Sequence, residues 1–88
     1  MTFLLRPCRG IAAYSSIPKK NLRLDLGRCR TRLEKAGYEV IDAKVMLVAK
    51  KETDITVYRS GRLLVNTDDK DRARELVEEL YRILGVSA

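Results

Sequence analysis

Hydrophobic and polar positions change their period several times along the chain, and each change marks an element. The segment GIAAYSSI, residues 10–17, is short, carries β-formers and stops at Pro18, which predicts a strand. PKKN, residues 18–21, then reads as a loop. In LRLDLGRCRTRLEKAG, residues Leu26, Cys29, Leu33 and Ala36 recur at helical spacing. Asp25 suits the N-cap, with Leu24 placed to staple onto Cys29, and Gly37 suits the position just past the C-terminus. Arg28, Arg32 and Lys35 fall away from this apolar stripe and face water.

YEVIDAKVMLVAKK switches to period two. Ile41, Ala43, Val45, Leu47 and Ala49 make one set, and Val40, Asp42, Lys44, Met46, Val48 and Lys50 the other. The alternation is long for one strand, so it is either two strands or one that bends. KETD is a turn, and VYRSGRLLV is a hairpin. A loop of Ser60-Gly61 alone mixes apolar and polar residues on both faces. A loop of Arg59-Ser60-Gly61 pairs Tyr58 with Arg62 and puts Gly61 where a left-handed bulge residue is required. That register sends Ile55, Val57, Leu63 and Val65 to one face and Thr56, Tyr58, Arg62, Leu64 and Asn66 to the other. Burial favours it, because a one-residue slip reverses every side chain.

The last segment begins at TDDKD, where Thr67 or Asp68 is placed to cap a helix. Ala73, Leu76, Val77, Leu80, Ile83 and Leu84 form its apolar stripe, and Gly85 ends it. The predicted order is β-α-β-β-β-α: a single α+β domain over residues 1–88, an antiparallel sheet with two helices on one face. The other face would present Lys44, Met46, Val48, Thr56, Tyr58, Arg62, Leu64 and Asn66 with nothing left in the chain to cover it, which points to a partner.

Charge sharpens that picture. The net charge is +6, concentrated before Gly37, where Arg6, Arg9, Lys19, Lys20, Arg23, Arg28, Arg30, Arg32 and Lys35 are opposed only by Asp25 and Glu34. Clustered cations suit a polyanion, so DNA or RNA is the first partner class, with Arg28, Arg32 and Lys35 as sequence-independent phosphate contacts. The competing reading is a solvated helix face. The apolar run in MTFLLRPCRG is too short for a secretory leader, and no run is long enough to span a membrane, so a cytoplasmic protein is expected.

Several classes of chemistry are unsupported. The chain has no histidine, hence no imidazole base and no Ser-His pair, and it carries no phosphate-loop glycine pattern. Asp68, Asp69 and Asp71 read as helix-cap carboxylates, since the spacing lacks the glycine turn and distal glutamate of a calcium loop. Cys8 and Cys29 read as buried free thiols, with a redox sensor as a minor alternative. No enzyme activity, metal or cofactor is expected.

The residues also carry a resemblance. VYRSGRLLV resembles the strand-turn-strand of the TATA-box-binding protein repeat. RLDLGRCRTRLEKAG, KVMLVAKK and DKDRARELVEELYRILGV are similar to its first helix, the strand that comes before the hairpin and its final helix. The resemblance implies a half-repeat of that fold, whose open sheet contacts nucleic acid and whose saddle would require a homodimer of this chain. It places Tyr58 at a wedge position, Leu64 and Asn66 at groove-contacting positions, and Arg62 after the turn. Asp42 falls on a second wedge position and Gly10 on a groove-reading one, so the resemblance implies nucleic acid without a kinked TATA site. The expected function is therefore a non-catalytic binding module that uses its open sheet face and basic first helix. The alternative is a protein-interaction domain whose same face forms a homodimer or docks on a larger enzyme.

Overall fold

The computed structural model describes residues 3–20 and 22–86, so Asn21 of the predicted loop lies outside the described residues. Along the chain run β1 (Phe3–Pro7), β2 (Tyr14–Pro18), α1 (Leu26–Lys35), β3 (Glu39–Asp42), β4 (Met46–Lys50), β5 (Asp54–Tyr58), β6 (Leu63–Val65) and α2 (Lys70–Leu84). The strands form one six-stranded sheet in the order β1-β2-β6-β5-β4-β3, antiparallel throughout. The protein is α+β with an antiparallel sheet, as its periodicity predicts, but with two more strands.

The first addition is β1. Its apolar run is short and ends in Arg6-Pro7, and it survives as a strand because it lies at the sheet edge, where a proline without an N–H is tolerated. Its pairing with β2 converts Gly10–Ala13 from predicted strand into the connection, closed by a 2.9 Å bond from Cys8 N–H to the Ala13 carbonyl.

The second addition resolves the long alternating stretch. It is two strands, folded back so that Ile41 pairs with Val48 and Asp42 with Leu47. Lys44 turns the chain at φ 69°, and Val45 N–H donates to the Ala43 carbonyl at 2.8 Å, the three-residue geometry of a γ-turn. Asp42 Oδ1 accepts from Lys44 N–H at 2.8 Å and holds this turn. The fold-back reverses the predicted faces of the first half. Val40 and Asp42 move to the helix side, and Ile41 moves to the open side.

Both helices cover one sheet face. α1 lies over β3 and β4, α2 lies over β2 and β6, and the two touch. Leu47, Ala49, Ile55, Val57, Leu63 and Val65 point up from the sheet into Leu26, Cys29 and Leu33 of α1 and Ala73, Leu76, Val77, Leu80 and Leu84 of α2. Each fully buried aliphatic side chain contributes about 1.5–3 kcal/mol by leaving water, so this layer is the main source of stability.

The helix ends follow their capping residues. Asp25 accepts from Arg28 N–H at 3.2 Å, and Gly37 takes φ +95° just past α1. At α2 the cap is Asp69, one residue beyond the predicted pair. Its carboxylate accepts from Asp71 and Arg72 N–H, while Thr67 Oγ1 accepts from Asp69 N–H. Gly85 closes α2 in the left-handed conformation.

Candidate nucleic-acid interface

The open face is built by the alternation of six strands. One row crosses the whole sheet: Arg6 opposite Ser15, then Leu64, Thr56, Val48 and Ile41. A second row lies nearer the β5–β6 turn, where Tyr58 stands opposite Met46. Among the described residues no element lies over these rows. Met46, Val48, Thr56, Tyr58 and Leu64 are half-buried, and Leu4 and Ile41 on the two edge strands are 42% and 45% exposed.

The hairpin that carries Tyr58 has the three-residue loop read from the sequence. Tyr58 N–H donates to the Arg62 carbonyl at 3.0 Å, and Gly61 N–H donates to the Tyr58 carbonyl at 2.9 Å with Gly61 at φ +88°. Tyr58 and Arg62 therefore rise side by side, with the Arg62 guanidinium carbon 5.9 Å from the ring centroid. Arg62 Nη2 also donates to Ser15 Oγ at 3.3 Å, and Ser15 Oγ is 3.2 Å from Cys8 Sγ. Ser15 is buried although it belongs to the open face, because these neighbours close over it.

Beneath the hairpin a buried hydroxyl pair fixes its position. Tyr81 O–H donates to the Gly61 carbonyl at 2.8 Å. Its only proton is thereby used, so the Ser16 hydroxyl, also at 2.8 Å, donates to the Tyr81 oxygen. Burial pushes the Tyr81 phenol up, while the Ser16 bond lowers it. Sequence periodicity missed Ser15, Ser16 and Tyr81, because polar residues do not register in an apolar stripe.

The predicted site residues separate into three groups. Met46, Val48, Thr56, Tyr58, Arg62 and Leu64 stand together on the open side, and Asn66 follows just past β6, its N–H bonded to the Asp54 carbonyl at 3.1 Å. Lys44 is not on the strand face; it occupies the β3–β4 turn at the end of the sheet. Arg28, Arg32 and Lys35 belong to the helix layer on the opposite side, so one flat contact cannot engage both surfaces. Two of these cations also have local partners. Arg28 Nε lies 4.0 Å from Asp25, and Arg32 lies so close to Gly85 that a Cβ on that glycine would sit 2.6 Å from its Nη1. A guanidinium there complements the negative end of α2.

Two positions implied by the resemblance are relocated as well. Asp42 faces α1 and lies 3.8 Å from Arg30, so its carboxylate does not point out of the open face. Gly10 sits in the β1–β2 connection, outside the strands.

Charge is uneven between the two ends of the sheet. The end with the β5–β6 turn gathers Lys19, Lys20, Arg59 and Arg62, whereas the opposite end holds Glu39 and Asp54 beside Lys50. Both cysteines are free thiols, Cys29 buried as expected but Cys8 only half-buried, because it lies just past the edge strand β1. Burial and, secondarily, Asp25 push the Cys29 thiol up, which disfavours the reactive thiolate. Among the described residues no cluster of three or more potential ligands is placed to hold a metal ion, and no helix is long and apolar enough to cross a membrane. Comparison with protein-family models, curated proteins and solved structures finds no match.

Proposed function

We propose that the protein is a non-catalytic binding module that takes a single strand of nucleic acid on its open sheet face. The observation that carries this reading is the Tyr58–Arg62 pair, a half-buried ring beside an exposed guanidinium at the basic end of an uncovered face. A tyrosine ring offers a stacking surface to any base, and an adjacent guanidinium adds attraction for the phosphates that join the bases. Leu64, Thr56 and Val48 extend the platform inward from that pair. The sequence resemblance of VYRSGRLLV to the strand-turn-strand of the TATA-box-binding protein repeat supports the same reading. The relocation of Asp42 removes a carboxylate from the face on which bases would lie.

Fluorescence anisotropy with labelled single-stranded DNA and RNA tests it. Affinity should fall steeply as salt rises, and Tyr58→Ala should cost about 1–3 kcal/mol. Absence of binding at micromolar protein and low salt would exclude the reading.

A second reading rests on a different observation. Leu4 and Ile41 are exposed at opposite edges of the same face, and Leu64, Val48 and Met46 lie between them among the polar Ser15 and Thr56. Such a face suits burial in a homodimer or against a larger protein.

A further inference from the structure

The end of the sheet beside Tyr58 opens into a cleft of about 570 Å³ between the start of α1 and the β3–β4 and β5–β6 turns. Arg23, Lys44 and Arg59 line it, together with Asp25 and Asp42. The charges are not equivalent. Asp25 is committed to Arg28, through its N–H at 3.2 Å and its guanidinium at 4.0 Å. Asp42 is committed to the Lys44 N–H at 2.8 Å and to Arg30 at 3.8 Å. Arg23, Lys44 and Arg59 are exposed and form no ion pair among the described residues. Three cations from three separate segments thus line one concavity without forming an ion pair there, beside two carboxylates whose contacts are to Arg28, Arg30 and the Lys44 N–H.

Their position relative to the face matters. Arg59 follows Tyr58 directly, and Lys44 precedes by two residues Met46, the residue opposite Tyr58. The cleft therefore lies around the sheet end from the Tyr58–Met46 row, on the helix side, where Asp42 and the start of α1 line it. The turn that divides it from the face is anchored from both sides. Leu24 N–H donates to the Arg59 carbonyl at 2.7 Å, and Tyr81 O–H donates to the Gly61 carbonyl. A groove with three unpaired cations fits consecutive phosphates better than a single anion, because each phosphate along a strand rewards its own contact.

We infer that this cleft holds backbone phosphates of the same nucleic-acid strand whose bases stack at Tyr58, guiding it off the sheet past the β5–β6 turn. This inference rests on the single-strand reading of the open face and adds the direction in which the strand runs.

The test compares wild type with Arg23→Gln/Lys44→Asn/Arg59→Gln and, separately, with Tyr58→Ala and Arg82→Gln. Asparagine at Lys44 removes the charge while tolerating the left-handed backbone. The main-chain bond at Arg59 survives its substitution, and circular dichroism checks that each variant is folded. Single-strand binding is measured across a salt series. The triple variant should flatten the slope of log K against log salt by about 2, since each phosphate contact on a single strand adds ~0.7. Arg82→Gln, on the exposed side of α2, should leave the slope unchanged.

Tight binding that depends on Tyr58 with no change of slope in the triple variant overturns the cleft and spares the face. A flattened slope with no effect of Tyr58→Ala would put phosphates in the cleft but overturn both the face and the continuity of one strand between face and cleft. No binding by wild type overturns both. Free tripolyphosphate held as tightly as the strand overturns the strand as occupant.

Discussion

At the scale of single residues, the face depends on groups that hold the β5–β6 turn in place. Gly61 has φ +88°, and a Cβ there would stand 2.7 Å from Leu22 Cδ1. Leu22 can swing its Cδ1 aside, but its Cβ and Pro18 Cγ, each 3.3 Å away, must also give, so crowding adds to the backbone strain. Gly61→Ala should destabilise the fold by about 1–2 kcal/mol, read from the shift in denaturant midpoint. Tyr81 makes a different contribution, since its hydroxyl joins α2 to β2 and to the turn. Tyr81→Phe keeps the ring and leaves Ser16 and the Gly61 carbonyl short of a partner, so a loss of about 1–3 kcal/mol is expected in the same assay. Gly61 was legible in the sequence because a bulge demands a left-handed residue at one place in the loop. The Ser16–Tyr81 bond was not, because the two residues are 65 positions apart and neither fits an apolar pattern.

At the scale of elements, the hairpin and both helices were legible, while the sheet edges were not. Burial imposes a strict pattern on β5 and β6 and on the inner sides of α1 and α2. β1 and β3 are edge strands with exposed positions on both sides, so their patterns are diluted. Tyr38, between α1 and β3, ties the β3 edge to α2 by donating to Glu79 at 3.1 Å. Its burial, and then the Glu79 carboxylate, push the phenol from 10.0 up to about 12. The folded state therefore keeps a proton that the unfolded chain releases near pH 10. Stability attributed to this group is intact below pH 10 and is lost as pH rises toward about 12. An absorbance titration of tyrosinate should show late-ionising phenols from Tyr38 and Tyr81, and Tyr38→Phe should remove one tyrosine's share of that late phase. The variant should also lose less stability than wild type between those pH values.

At the scale of the whole molecule, the two-layer fold puts its cations on both sides of the sheet, and only structure says which of them share a surface. The sequence places Tyr58, Arg62, Leu64 and Thr56 together through register alone, but the α1 cations and the open face turn out to be back to back. Lys44 and Arg59 meet only because two hairpins end at the same edge, which no local pattern encodes. The homodimer reading belongs to this scale too. If the face is shared between copies, sedimentation velocity will show a dimer that Met46→Lys converts to a folded monomer. If it is a free nucleic-acid platform, wild type will sediment as a monomer. The most direct test of the central claim is amide and methyl chemical-shift mapping while a single strand is titrated into the labelled protein. Shifts should concentrate at Met46, Val48, Thr56, Tyr58, Arg62 and Leu64. Shifts confined to α1 and α2, or no shifts at all, would contradict the open face as the binding surface.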